Sequence, residues 1–373
     1  MKSSDPDIIP LVDLRKQYRS IKGKIDRNIS RVIRESDFIL GRQVSQFEKE
    51  FAKFLGVKYA VGVSSGTDAI HLALKALDPA PGMEAILPSH TFTATAEPLV
   101  WMGIKPVFVD IDEKTFTIDP LEIKKAISPK TRIIIPVHLY GRSARMDEIL
   151  KIAREFKLDI LEDAAQAHGA RFQNKMVGGI GKIGIFSFYP GKNLGAYGDA
   201  GMVVTDDQMI AGRIVKLRNH GRVQKYEHDL IGFGNRMDTI QAAVLSAKLP
   251  HLTRWNKKRA EVAGIYNKLL SDVKQIIIPA PAPVNSHVYH LYVIRCKSRD
   301  GLKNHLLKQG IQTGIHYPLP LHLQAAYRFL GYRKGDLPVT EKTAAQILSL
   351  PIYPEISGRQ VKFICKCIKD FYS

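Results

Sequence analysis

Apolar residues first recur at helical spacing between Lys16 and Glu35, where Tyr18, Ile21, Ile25, Ile29, Val32 and Ile33 fall on one face. Phe47, Phe51, Phe54 and Leu55 repeat the pattern, and Gly56 follows as a C-cap. From Tyr59 to about Val204 the rhythm changes. Short apolar runs at Tyr59–Val63, Ala85–Leu87, Pro106–Val109, Ile133–Val137, Ile160–Leu161 and Ile183–Phe188 alternate with helical stretches near 67–78, 93–102, 120–127 and 146–156. This alternation predicts an α/β unit with a mostly parallel sheet covered on both faces. Gly201–Thr205 reads as a further strand. After about Pro250 the character shifts to a long charged helix (Leu252–Leu270), a Pro-rich stretch (Ile278–Val284) and a strand near His287–Cys296. A helix near 300–309, a strand near 312–316 and a last helix from about 358 complete the chain. The predicted division is a large domain over 1–250 and a smaller α+β domain over 251–373.

Composition narrows the class. The chain has 373 residues, 45% hydrophobic and 24% charged, which is ordinary for a globular protein and excludes a collagenous or low-complexity chain. Three cysteines, Cys296, Cys365 and Cys367, make no disulfide framework and suit a reducing compartment. The opening MKSSDPDIIP has no apolar leader, and no apolar run reaches the ~18–20 residues that span a bilayer. The expectation is a cytoplasmic protein with no membrane partner. Lys and Arg outnumber Asp and Glu, 55 to 36, for a net charge of +19. The basic residues are scattered, so the balance favours a phosphorylated small ligand over nucleic acid. No group of His, Cys, Asp and Glu has metal-ligand spacing, so no metal is expected.

Two motifs are decoys. Gly179-Ile180-Gly181-Lys182-Ile183-Gly184 fits G-x-G-x-x-G but precedes a strand instead of following one, the wrong context for a dinucleotide. Gly62-Val63-Ser64-Ser65-Gly66 fits G-x-S-x-G between a strand and a helix, which leaves a Ser64 hydrolase as an alternative. The same residues read either as an anion cradle or as a simple capped helix start. Ser64-Ser65-Gly66-Thr67 opens a helix whose first N–H groups are unpaired, and Gly66 lets a ligand approach the backbone. Two further segments carry chemistry. In Ile160-Leu161-Glu162-Asp163-Ala164-Ala165-Gln166 a carboxylate ends a buried strand, where a cationic partner such as a protonated pyridine would offset its burial. In Phe186-Ser187-Phe188-Tyr189-Pro190-Gly191-Lys192 a strand runs into a loop with one lysine, and a desolvated lysine becomes a nucleophile.

SFYPGKNLGAYGDAG, EDAAQAHGA, SSGTDAI and PSHTFTATA together resemble the DegT/DnrJ/EryC1/StrS family of pyridoxal 5'-phosphate (PLP)-dependent sugar aminotransferases, over nearly the whole chain. The resemblance implies the PLP-dependent transferase fold type I and a homodimer with shared active sites. It assigns Lys192 as the Schiff-base lysine and Asp163 as the partner of the pyridine nitrogen. Gln166 falls near the phenolic oxygen and Phe92 against the ring. Gly66, Thr67 and Ser187 fall at the phosphate. The family reads G-x-N-x-R-[ML]-D where the partner subunit offers an Asn to the phosphate. This chain has Gly234 at that place and Asn235 one position later, so Asn235 is the assigned residue. His316 and Tyr317, in a family-like HYP segment, and Tyr189 beside the lysine loop are the expected substrate contacts.

The implied reaction moves an amino group from L-glutamate, leaving 2-oxoglutarate, to a keto-sugar linked to a nucleotide diphosphate. The product would be an amino-sugar for surface polysaccharide, lipopolysaccharide or secondary-metabolite biosynthesis. A 3-keto sugar is the expected substrate, a 4-keto sugar the alternative. A dehydratase branch of the family has His in place of the lysine, and Lys192 argues against it. A binding or regulatory protein that keeps the cofactor site without turnover is the remaining rival.

Overall fold

The computed structural model describes residues 8–283 and 286–373. The leader reading at residues 1–7 and the end of the Pro-rich stretch at 284 lie outside the described residues.

The chain opens with two helices, α1 (Leu14–Glu35) and α2 (Arg42–Leu55). The Asp13 side chain caps α1 by accepting from the Lys16 N–H, and Gly56 closes α2 at φ +77°, a conformation open to glycine. Ile21 and Ile25 bury against Val244, Ala247 and Trp255. Of the predicted apolar face, Val32 is buried as expected, but Ile33 beside it is exposed.

The alternating segment then runs β1 (Tyr59–Val63), α3 (Gly66–Leu77), β2 (Glu84–Pro88), α4 (Glu97–Trp101), β3 (Lys105–Val109), α5 (Pro120–Ala126), β4 (Thr131–Ile134), α6 (Met146–Phe156) and β5 (Asp159–Asp163). A small hairpin, β6 (Arg171–Phe172) and β7 (Lys175–Met176), leads to β8 (Ile183–Ser187) and β9 (Gly201–Thr205). After α7 (Gln208–Leu217), a second hairpin of β10 (Arg222–Gln224) and β11 (Glu227–His228) precedes α8 (Thr239–Lys248).

Seven strands pair in the order β1-β9-β8-β5-β4-β2-β3. β8, β5, β4, β2 and β3 are mutually parallel, and β9 runs antiparallel between β1 and β8. Side chains alternate across the strands as the period of two requires. Val61, Leu87, Phe108, Leu161 and Ile185 join α3 and α7 in one core layer. Ala60, Phe186, Met202 and Val204 pack on Phe47 and Phe51 of α2, while Ile86, Ile134 and Ile160 pack on α5 and α6. The predicted α/β architecture is thus present, with one strand reversed.

The smaller C-terminal unit contains α9 (Leu252–Leu270), β12 (Ile276–Ile277), β13 (Tyr292–Cys296), α10 (Arg299–Lys308), α11 (Pro338–Gln346), β14 (Ile347–Leu350) and α12 (Gly358–Tyr372). Its antiparallel sheet runs β12-β13-β14 over a core of Tyr266, Tyr292, Ile294, Leu306, Leu350 and Ile364. The strand predicted near 312–316 is absent: Ile311 and Gly314 make single bridges, to Ile9 and Ser349, and the segment turns away toward the large unit. The strand predicted at His287–Cys296 begins only at Tyr292. Helices α7 and α11 and strand β14 were not anticipated.

Two contacts are among those that tie the units together. Ile9 exchanges backbone bonds with Gly310 and Gln312, and the Ile352 N–H donates to the Leu11 carbonyl, so the amino-terminal segment belongs to the C-terminal core. Asp110, just after β3, accepts from the N–H groups of Val339 and Thr340 and from the Thr340 hydroxyl, capping α11 across the chain.

Candidate active site

The carboxyl ends of β5 and β8 and the start of α3 surround a cleft of about 540 Å³, closed on the far side by the C-terminal unit. This is the position at which open α/β sheets take ligands. Gly66, Thr67, Phe92, Asp163, Gln166, Ser187, Tyr189, Lys192, His316 and Tyr317 all line it. Among the site residues that the family resemblance assigns, Asn235 alone does not. Its amide donates to Asp68 Oδ1 at 2.9 Å, at the side of the α3 terminus.

Asp163 ends β5 and is 5% exposed. Its Oδ2 accepts from Thr95 Oγ1 at 2.8 Å and its Oδ1 from the Ala165 N–H at 3.1 Å. Burial raises its pKa, against the opposing pull of those hydrogen bonds and of Lys192. Lys192 follows the aromatic turn after β8 and faces the cleft from a densely packed wall. Burial lowers it to about 8, with Asp163 pulling the other way. An ammonium this easily deprotonated supplies a free amine, which is a nucleophile and a proton carrier near physiological pH.

Gln166 is held from two sides. Its Oε1 accepts the Tyr140 N–H at 2.7 Å, and its Nε2 donates to Tyr317 Oη at 3.0 Å. Tyr140 sits at φ +58°, a costly backbone for a bulky residue, and its hydroxyl bonds both His90 Nε2 and the His316 carbonyl. Phe92 and Tyr317 face each other with centroids 5.7 Å apart. His316 Nδ1 lies 2.9 Å from Ser349 Oγ, and burial lowers this imidazole to about 4, so it is neutral at pH 7.

The α3 terminus is built as a cradle. Ser65 caps the helix by accepting from the Asp68 N–H, while the Gly66 and Thr67 N–H groups have no acceptor among the described residues. A Cβ on Gly66 would lie 2.6 Å from Ser187 Cβ, so only glycine lets the helix start approach the end of β8. Ser64 Oγ donates to Asp68 Oδ2 at 2.6 Å and makes no bond to a histidine, so it lacks the base that a hydrolase serine needs.

The glycine-rich decoy has a structural explanation. The Gly178, Ile180 and Gly181 N–H groups all donate to the buried Glu162 carboxylate, at 2.8, 2.7 and 2.6 Å. His138 completes the set from Nε2 at 3.0 Å, since its Nδ1 accepts the Ala144 N–H. The loop wraps a side chain, not a phosphate.

A buried carboxylate, a lysine near neutrality and a side-chain-free cradle at a helix terminus fit PLP, which presents a pyridine nitrogen, an aldehyde and a phosphate. Among the described residues, no cluster of three His, Cys, Asp or Glu is placed to hold a metal ion. No helix there is long and apolar enough to cross a membrane. Sequence reasoning missed Thr95, Tyr140, Arg259 and His290. Thr95 lies inside a quoted motif without a mark of its own, and the other three reach the site only through tertiary packing.

Comparison with known proteins agrees with this geometry. The model of the DegT/DnrJ/EryC1/StrS aminotransferase family matches residues 19–369. A pleiotropic regulatory protein of Geobacillus stearothermophilus is 45% identical over 366 residues, 98% of each chain. A dTDP-3-amino-3,4,6-trideoxy-alpha-D-glucose transaminase of Streptomyces venezuelae is 43% identical, covering 97% of this chain and 96% of its own. A UDP-N-acetyl-3-dehydro-alpha-D-glucosamine 3-aminotransferase of Acidithiobacillus ferrooxidans is 42% identical over 97% of each chain. The crystal structure of S. venezuelae DesV, solved with a ketimine intermediate, superposes with a TM-score of 0.96 at 42% identity over 99% of both chains. The crystal structure of NtdA from Bacillus subtilis, with bound cofactor PMP, gives 0.92 at 32% identity, covering 100% of this chain and 87% of that one. With the family model spanning almost the whole sequence and the cleft built for the coenzyme, the chain belongs to the DegT/DnrJ/EryC1/StrS family and is a PLP-dependent aminotransferase.

Proposed function

We propose that the enzyme transfers the amino group of L-glutamate to a 3-keto sugar carried on a nucleotide diphosphate. The observation that carries this reading is the convergence of Lys192, Asp163 and the Gly66–Ser187 cradle in one cleft. The sugar and the keto position draw support from two of the relatives above, whose names place the amino group at carbon 3. When bound, the coenzyme supplies the electron sink for loss of the donor's Cα proton. Lys192 tethers it and, as the free amine, takes that proton and returns it. Asp163 keeps the pyridine nitrogen protonated. Gly66, Thr67 and Ser187 hold the phosphate, Gln166 faces the phenolic oxygen and Phe92 covers the ring. His316, Tyr317 and Tyr189 face the sugar nucleotide. Two chains form a homodimer in which Asn235 serves the neighbouring phosphate, each chain dividing near residue 250. The enzyme works in the cytoplasm.

The test is a reverse-direction assay with 2-oxoglutarate and UDP- or dTDP-linked 3-amino and 4-amino sugars. Glutamate formation from a 3-amino sugar is the expected result. Preference for a 4-amino sugar would overturn the keto position, and no turnover with any nucleotide sugar would overturn the substrate class.

A further inference from the structure

Arg259, on α9, belongs to none of the motifs. It is 4% exposed and still lines the cleft that holds Lys192. Its Nη1 is spent on three carbonyls, those of Tyr289 at 3.2 Å, His290 at 3.3 Å and Ile352 at 2.9 Å. Its Nε is buried and has no acceptor, and Nη2 donates to nothing among the described residues. No described carboxylate forms an ion pair with it; Glu355 acts on it only at longer range. Burial lowers the guanidinium to about 10, so it stays charged at neutral pH.

A buried cation with spare donors and no counter-ion is costly, and a site that keeps one is short of an anion. Of the other charges of the cleft, Asp199 is an exposed carboxylate that makes no ion pair with Arg259, and the rest are matched by the coenzyme reading. Asp163 opposes the pyridine nitrogen, Lys192 the aldehyde, and the α3 terminus the phosphate. Arg259 is left over. Its neighbour on the wall, His290, has a buried Nδ1 without a partner, and desolvation together with Lys192 and Arg259 keeps that ring neutral. A neutral imidazole is a hydrogen-bond group that adds no competing charge. Leu11, Val12 and Ile352 complete this wall with apolar surface, which strengthens a charge-assisted hydrogen bond by excluding water.

We propose that Arg259, with His290 beside it, is the recognition point for a carboxylate of the amino donor. This rests on the glutamate-donor reading above. Arginine suits the role because its planar guanidinium keeps Nη1 anchored to the backbone and leaves Nη2 to donate to a carboxylate.

The experiment uses holoenzyme and glutarate, a dicarboxylate that cannot transaminate. Its Kd is measured by calorimetry and by the change in coenzyme absorbance, for wild type, Arg259→Gln and Arg259→Lys. In the Gln variant, glutarate binding and the KM for L-glutamate should weaken at least tenfold, while the affinity for UDP or dTDP and the coenzyme spectrum stay unchanged. The Lys variant should recover part of the loss. Wild-type glutarate affinity in a folded Gln variant overturns the proposal. If the Gln variant does not fold, wild-type affinity in the Lys variant, whose point charge cannot reproduce the planar guanidinium, overturns it. The two readings separate. If L-glutamate fails to convert the wild-type coenzyme to its amine form while glutarate still binds through Arg259, the donor reading falls and the carboxylate site stands. Conversion by L-glutamate with glutarate binding indifferent to Arg259 does the reverse.

Discussion

Gly66 and Ser187 approach so closely that a Cβ on the glycine would stand 2.6 Å from the serine Cβ. The contact joins the start of α3 to the end of β8 and sets the width of the cradle. In Gly66→Ala one of the two elements must shift, at an overpacking cost of about 1–3 kcal/mol. Apoenzyme titrated with PLP should show at least a tenfold weaker Kd, and the melting temperature should fall by a few degrees. Unchanged coenzyme affinity would mean that the cradle does not hold the phosphate.

Lys192→Ala should abolish retention of the coenzyme after borohydride reduction and lower turnover by roughly a hundredfold to ten-thousandfold, the range of a lost acid–base group. Circular dichroism should be unaltered, because Lys192 faces the cleft and not the core. Coenzyme still covalently attached in this variant would place the tether on another residue.

Lys248 gives a pH dependence with a definite sign. Its ammonium is fully buried, donates to the Gly195 carbonyl at 2.6 Å and lies 4.1 Å from the Tyr197 ring centroid. Burial lowers it to about 7 from 10.5. Between those two values the unfolded chain holds a proton that the folded chain has released, so its contribution to stability grows as pH rises. Relative to Lys248→Met, the wild-type apoenzyme should therefore gain about 2 kcal/mol between pH 7 and pH 9. Urea unfolding of both proteins at pH 7, 8 and 9 measures the difference. A gap independent of pH would show that the buried amine does not titrate there.

Glu162 tests the decoy loop. Its carboxylate accepts from three backbone N–H groups and from His138. A Gln amide presents an NH2 to donors that need an acceptor, so Glu162→Gln should cost about 3 kcal/mol in urea unfolding. Affinity for nicotinamide dinucleotides should be undetectable in both wild type and variant.

What the sequence disclosed follows from how local each signal is. The β1–α3 turn, Asp163 and Lys192 stand in short segments whose residue types already state a chemistry, and ten of the eleven assigned positions share one cleft. Asn235 is the exception because its assigned partner would be another chain. Tyr140, Arg259 and His290 carry no local mark. Tyr140 matters through its strained backbone and its hold on Gln166, and Arg259 through carbonyls from segments 30 to 93 residues away. The predicted strand near 312–316 failed for a related reason. Its backbone serves single bridges and the turn toward His316, not a ladder.

The bond between Ile9 and the 310–312 segment reaches beyond the C-terminal core. Leu11 and Val12, two and three residues on, form part of the wall beside Arg259 and Lys192. Trimming the first dozen residues would therefore unroof the reaction chamber as well as fray a β-bridge. Loss of catalysis in such a truncated protein would report on water entering the chamber before it reported on unfolding.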